Sequence, residues 1–302
     1  MTLPVARVMS TTGIEAPVKW YYSGDIFRVN RRLSGQYNQV TQAGIEIIGY
    51  PSLKAEWECL SLASRICQQL ALPDVTIELS DANFVTQVLQ ALPINPLMQA
   101  TLKQALFAKQ LTRYNQLIQP LATSEFYDFL KVWPWLFGDF DRVMAQLKPL
   151  SAITDLTAKI TDLQKTKAFL QQQYPELTVT LDLSVASPQT YYTGMAFKAY
   201  SRVANDYLFS GGRYDQLLTS FQKTPQPAVG LAFDVDSILA QQNMAPKTTQ
   251  TLIYFDPDQW QMAQDLLAEL PNASLCLTDS LQAAQRLATK QKAQLIDLTE
   301  RT

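Results

Sequence analysis

Two runs near the amino terminus place apolar or aromatic residues at alternate positions: VKWYYSGDIFRV (18–29) and QYNQVTQAGIEIIG (36–49), joined by RRLSG. A period of two with a short Gly-bearing connection predicts an antiparallel β-hairpin. Gln42, Gly44 and Glu46 then share one face. On the facing strand Arg28 offers a guanidinium fork. A cation opposite a glutamine and a carboxylate suits a zwitterion, and the same pattern equally describes a solvated sheet face.

Helical periodicity follows. In SLKAEWECLSLASRICQQLAL (52–72), Leu53, Trp57, Leu60, Ile66 and Leu70 recur near 3.6 residues, with Ser52 in N-cap position, and the strand VTIEL comes next. From 81 to 176 short helical patterns are cut by Pro93, Pro96, Pro120, Pro134 and Pro149, which predicts a mostly helical insertion. Its aromatic run, EFYDFLKVWPWLFGDF, reads as the core of that insertion, with an exposed partner surface as the alternative. Strand character returns in LTVTLDL (177–183), TYYTGMAFKAY (190–200), DYLFSGG (206–212) and AVGLAF (228–233). The alternation strand, helix, strand, helix, strand closes the chain. The expected organisation is a sheet core from 1–80 and 177–243, an insertion over 81–176, and a small α/β unit over 249–302.

Several function classes drop out on composition. The 302 residues contain no histidine, so a His-based triad, a His-ligated metal and a His general base are all excluded. Cys59, Cys67 and Cys276 make no ligand spacing and are expected as buried thiols in a reducing compartment. No metal or cofactor is expected. The 25 Lys and Arg residues are scattered in a chain of net charge -2, which argues against a nucleic-acid footprint. Neither a signal sequence nor a bilayer-spanning run is present in these residues, and a cytoplasmic location is expected.

Tyr191 and Tyr192 adjoin in a predicted strand, which sends one hydroxyl to each side. In LFSGGRYDQLL (208–218), GGRYD has neither the lysine nor the glycine spacing of a phosphate loop. Arg213 and Asp215 are expected to pair within the turn or with neighbouring strands.

Taken in order, GDIFRVNRRLSGQYNQVTQAGIEIIG, QTYYTGMAF, SGGRYDQLL and AVGLAFDVDSIL resemble motif 2, the two histidine-specific motifs and motif 3 of the histidyl-tRNA synthetases. The resemblance covers most of residues 1–240. It implies an α+β fold, the class II synthetase-like antiparallel sheet flanked by helices, with a helical insertion and a small C-terminal α/β unit. It also implies a histidine pocket: Gln42 and Thr2 on the α-amino group, Glu46 and Tyr192 on the imidazole nitrogens, Tyr191 and Tyr214 lining it, and Arg28 near the carboxylate.

Departures from the pattern fall on the ATP side. Asn30, Gln36 and Asn38 stand where the synthetases carry a glutamate and arginines, Ser187 where they carry an arginine, and Asp236 and Ser237 where motif 3 ends in Glu-Arg. Adenylation needs cations on the triphosphate. The pattern is therefore similar to the synthetase paralogues that serve as regulatory subunits of ATP phosphoribosyltransferase. The resemblance implies a non-catalytic subunit that pairs with a short catalytic subunit, is required for its activity and mediates histidine feedback, within a hetero-oligomer built on a homodimer. A truncated synthetase core and a stand-alone histidine-binding module are the alternatives. MTLPVAR resembles a segment that follows motif 1, the source of much of that family's dimer interface.

Overall fold

The predicted hairpin forms. Strands β1 (Val18–Phe27) and β2 (Gln39–Ile48) pair antiparallel, with Trp20 opposite Glu46, Tyr22 opposite Gly44 and Gly24 opposite Gln42. The computed structural model describes residues 1–27, 38–151, 153–187, 189–202, 207–221, 224–239, 250–270 and 272–300. Arg28, Asn30, Gln36 and the turn RRLSG lie outside them.

The hairpin opens an eight-stranded sheet of order β1-β2-β8-β7-β6-β3-β5-β4. Its other strands are β3 (Thr76–Asp81), β4 (Phe137–Asp139), β5 (Thr178–Asp182), β6 (Met195–Tyr200), β7 (Phe209–Arg213) and β8 (Ala228–Asp234). Every pair is antiparallel except β3 with β5. Parallel neighbours cannot be joined by a hairpin, and here the connection is the long helical stretch itself. It holds α3 (Phe84–Ala91), α4 (Pro96–Phe107), α5 (Leu111–Ile118), α6 (Tyr127–Val132), α7 (Phe140–Ala145) and α8 (Thr154–Gln173), together with the edge strand β4.

Two apolar clusters sandwich the sheet. The larger takes Ile47 from β2, Cys59, Leu60 and Ala63 from α2 (Lys54–Gln69), and the helical stretch, including Phe126, Phe129, Leu130, Trp133 and Phe140 of the aromatic run. Trp135 and Phe137 of the same run are exposed. The smaller cluster lies on the opposite face, where Ala6 and Met9 of α1 (Thr2–Thr11) meet Ile48, Tyr214, Leu217 and Leu218.

Helix α2 departs from its expected start. Its N-cap is Leu53 and no side chain caps it, while the Ser52 hydroxyl accepts only a long hydrogen bond from the Lys54 N–H, 3.3 Å. The buried stripe runs through Ala55, Glu56, Cys59, Leu60, Ala63 and Cys67, so Leu70 ends up exposed. Glu56 tolerates burial because Arg213 pairs with it, as described below.

Residues up to Gln242 make one compact unit, closed by α9 (Val235–Leu239), and those from Asn243 make a second. In the second, β9 (Thr251–Tyr254) lies between β10 (Ala273–Leu275) and β11 (Gln294–Asp297), all parallel. The crossovers α10 (Trp260–Glu269) and α11 (Leu281–Gln291) supply its helices. Leu252 and Tyr254 of β9 pack into one small core and Ile253 into another, as strand alternation requires. All three cysteines are buried and free. Among the described residues no helix is long and apolar enough to cross a membrane, and no group of His, Cys, Asp and Glu could hold a metal ion.

Candidate functional site

Strand β2 crosses the middle of a pocket in the first unit. Its alternation sends Gln42, Gly44, Glu46 and Ile48 to the α1 side and Ile45 and Ile47 to the main core. Gln42 is 5% exposed and Glu46 1%. Around them lie Met1 and Thr2 from α1, Tyr22 from β1, Gln189, Tyr191 and Tyr192, Ser210 from β7, Tyr214, and Gly230 to Ala232 from β8. The cavity is about 50 Å³. Six of the seven residues expected at the site, Thr2, Gln42, Glu46, Tyr191, Tyr192 and Tyr214, gather at this pocket. The seventh, Arg28, lies outside the described residues.

Two glycines bring the side chains in. A Cβ at Gly230 would overlap Glu46 Oε2, and one at Gly212 would sit 2.9 Å from the Tyr192 ring. Neither side chain could keep its position beside a larger residue there.

The tyrosine pair departs from expectation. Strand β6 starts only at Met195, paired with Asp81, while Tyr191 and Tyr192 lie in a turn closed by the Tyr192 N–H to Gln189 O, 3.3 Å. In a turn the two rings need not face apart. Both line the pocket, edge to face with centroids 5.1 Å apart, and Tyr191 meets Tyr214 likewise at 6.0 Å. The β-propensity of the pair is overridden because the sheet has no partner for them until Met195.

Glu46 dominates the electrostatics. The Tyr214 hydroxyl donates to its Oε2, while Oε1 is buried and accepts no hydrogen bond from the described residues. Burial pushes the carboxyl up to about 7, against the opposing effects of Tyr214 and Thr2. Burial, reinforced by the nearby Glu46, also raises the Tyr214 hydroxyl well above its ordinary value. Burial raises Tyr192 too, with neighbouring Tyr191 and Glu46 adding to the shift. Such a pocket offers an acceptor to an N–H donor and phenolic hydroxyls beside it.

The other end of β2 has different chemistry. Asp236 Oδ2 accepts from the Thr41 N–H at 2.9 Å, and Asp25 accepts from the Thr41 hydroxyl at 3.0 Å and from Gln39 Nε2 at 2.7 Å. Asp234, opposite Gln42, accepts from the Ser237 N–H at 2.8 Å. Asp234, the cross-strand partner of Gln42, shares the pocket face, whereas Asp25, opposite Thr41, lies on the other side of the sheet.

The GGRYD stretch serves as a wall. Arg213 grips Glu56 with Nε at 2.5 Å and Nη2 at 2.6 Å, and Asp215 with Nη1 at 3.2 Å. Asp215 also accepts from the Ala228 N–H at 2.9 Å. Arg213 with Asp215 and Asp215 with Ala228 of β8 pair as expected, while the closest partner of Arg213 is Glu56 on helix α2, which that expectation did not include. Sequence reasoning missed Tyr22, which the hairpin register exposes: it faces Gly44 across the β1–β2 ladder.

A largely antiparallel, mixed sheet of this order, flanked by helices, with a buried glutamate and glutamine under a tyrosine turn, defines a class II, histidyl-tRNA synthetase-like domain. The histidyl-tRNA synthetase family profile matches residues 1–238. The chain is 54% identical, over 99% of its own length and 78% of the relative's, to the ATP phosphoribosyltransferase regulatory subunit of Lacticaseibacillus casei (strain BL23). It belongs to the family of ATP phosphoribosyltransferase regulatory subunits. A solved structure described as an ATP phosphoribosyltransferase regulatory subunit/histidyl-tRNA synthetase from Bacillus halodurans shares the fold, with a TM-score of 0.77 at 21% identity over 98% of this chain and 77% of that one. So does a chain from the ATP phosphoribosyl transferase (HisG:HisZ) complex of Thermotoga maritima, with a TM-score of 0.62 at 18% identity over 77% of this chain and 78% of that one.

Proposed function

We propose that this chain is a non-catalytic regulatory subunit that binds histidine in the tyrosine-lined pocket, is required by a short ATP phosphoribosyltransferase catalytic subunit, and carries histidine feedback to it. The observation behind this reading is the buried Glu46, whose Oε1 lacks a hydrogen bond from the described residues. A buried acceptor without a donor costs stability, and an imidazole N–H would supply the missing bond. Tyr192 then meets the other ring nitrogen, Gln42 and Thr2 hold the α-amino group, Arg28 lies near the carboxylate, and Tyr191 and Tyr214 wall the ring.

The Asp234 carboxylate, on the pocket face opposite Gln42, favours binding without activation. A triphosphate approaching that end would meet like charge where an adenylating site needs cations. The names of the homologues support the partnership with the catalytic subunit. Assembly on a homodimer within a hetero-oligomer completes the proposal, with no metal or cofactor of its own.

Reconstitution tests it. Mixing the chain with a short catalytic subunit should produce a complex whose phosphoribosyl transfer exceeds that of the catalytic subunit alone and falls on adding histidine. Absence of a complex would favour a stand-alone histidine-binding module. Histidine-dependent exchange of pyrophosphate into ATP by this chain alone would instead make it a synthetase core.

A further inference from the structure

We propose that Asn83, Asp81 and Lys159 are positioning residues for the tyrosine wall of the pocket, coupling its occupancy to helix α8. The inference rests on the pocket being an amino-acid site. Strand β3 ends at Asp81, and the short turn into α3 runs beside the turn that carries Tyr191 and Tyr192. The Asn83 side-chain amide donates to Thr193 O at 3.0 Å, and the Ala82 N–H donates to Gly194 O at 2.9 Å. Thr193 is tied on its other side as well: its N–H donates to Arg213 O at 2.7 Å, and its hydroxyl accepts from the Asp215 N–H at 2.9 Å. The backbone following Tyr192 is therefore clamped between β7 and the β3–α3 turn.

That turn is held in place from α8. Asp81 Oδ1 accepts from the Asn83 N–H at 2.9 Å, and Oδ2 pairs with Lys159 Nζ at 3.0 Å. The Asp81 side chain is 4% exposed and that of Lys159 21%. A carboxylate so buried loses stability sharply if its cation leaves. Packing does not replace the ion pair, because a cavity of about 210 Å³, bordered by Asp81, Lys159, Asp162, Thr193, Gly194 and Arg213, lies at this junction.

Ligand entry loads this link. Tyr191 and Tyr192 wall the pocket, so a ligand seated there presses on the turn that carries them. Any shift of the two rings falls on Thr193 and Gly194, the next residues along the turn, and so on the clamp bonds that hold them. Displacing Thr193 and Gly194 pulls on Asn83 and Ala82, and through Asp81 on Lys159. By linkage, the state of α8 must then bias ligand affinity by the same factor.

The test uses the full chain, histidine titration by calorimetry and amide hydrogen exchange. Lys159→Met should weaken histidine about tenfold and speed exchange of residues 192–194 several-fold in the ligand-free protein, whereas Lys159→Arg, which keeps the cation, should change neither by more than about twofold. Asn83→Ala leaves the ion pair intact and should act in the same direction as Lys159→Met, so misfolding of one variant leaves the other to decide. In the wild type, histidine should slow exchange in the first half of α8. If Lys159→Met and Asn83→Ala match the wild type in both affinity and exchange, the positioning role is wrong. If the wild type fails to bind histidine while the variants still loosen residues 192–194, the pocket reading fails and the positioning stands.

Discussion

The two faces of β2 are built from neighbouring residues and obey opposite rules. On one, Ile45 and Ile47 join α2 in the main core. On the other, Glu46 is at least as buried as Ile47 and Gln42 is more buried than Ile45, yet Glu46 keeps an oxygen without a hydrogen bond from the described residues. Folding alone gains nothing from a carboxylate there, because burying it costs more than an apolar residue would. The contrast separates burial that stabilises from burial that costs, and a buried ionisable group held far from its ordinary value marks the candidate functional face.

Breaking the apolar face should have the largest energetic effect. Ile47 is 2% exposed, and Ile47→Ala should cost roughly 2–5 kcal/mol of unfolding free energy while histidine affinity of the folded protein stays nearly constant. Urea denaturation and calorimetry on the same variant read both.

The polar face should respond in reverse. The folded-state value of Glu46, about 7, lies above its ordinary 4.5, so the native protein holds a proton that the unfolded chain releases. Its stabilising contribution is complete below about pH 4.5 and is lost as the pH rises through 7, a change of about 3 kcal/mol. Glu46→Gln removes this titration. Stability of the variant relative to wild type should therefore increase from pH 4.5 to 8, which urea melts across that range would reveal. A constant difference would place Glu46 in a wetter site.

Smaller effects separate the two ends of the pocket face. Gln42→Ala should weaken histidine by about tenfold, the cost of one lost hydrogen bond to a charged group. Asp236→Asn, beyond the pocket at Thr41, should change it by less than about twofold, since Asp236 bonds the strand and not the ligand. Equal losses from both would erase the distinction between a recognition end and a nucleotide end.

Much of this was legible in the sequence wherever the signal is local. Alternation placed Gln42 and Glu46 on one face, and proline spacing marked the helical stretch. Four ordered motifs pointed to the family, and six of the seven expected residues meet at one pocket. What escaped reading depends on distant partners. Tyr191 and Tyr192 look like strand residues, and only the pairing of Met195 with Asp81 shows where β6 begins. Helix α1 has a short apolar face, whose burial needs Tyr214 and Leu218 from far along the chain. The Glu56–Arg213 and Asp81–Lys159 pairs join residues 157 and 78 positions apart, and no local pattern announces them.

Recognition of histidine through Glu46 is the central claim, and one titration reaches it most directly. Histidine titrated calorimetrically into the wild type at pH 8 should bind at one site per chain, and Glu46→Ala should lose at least about tenfold in affinity while remaining folded. Equal affinity for both proteins, or no binding by the wild type, would contradict the account.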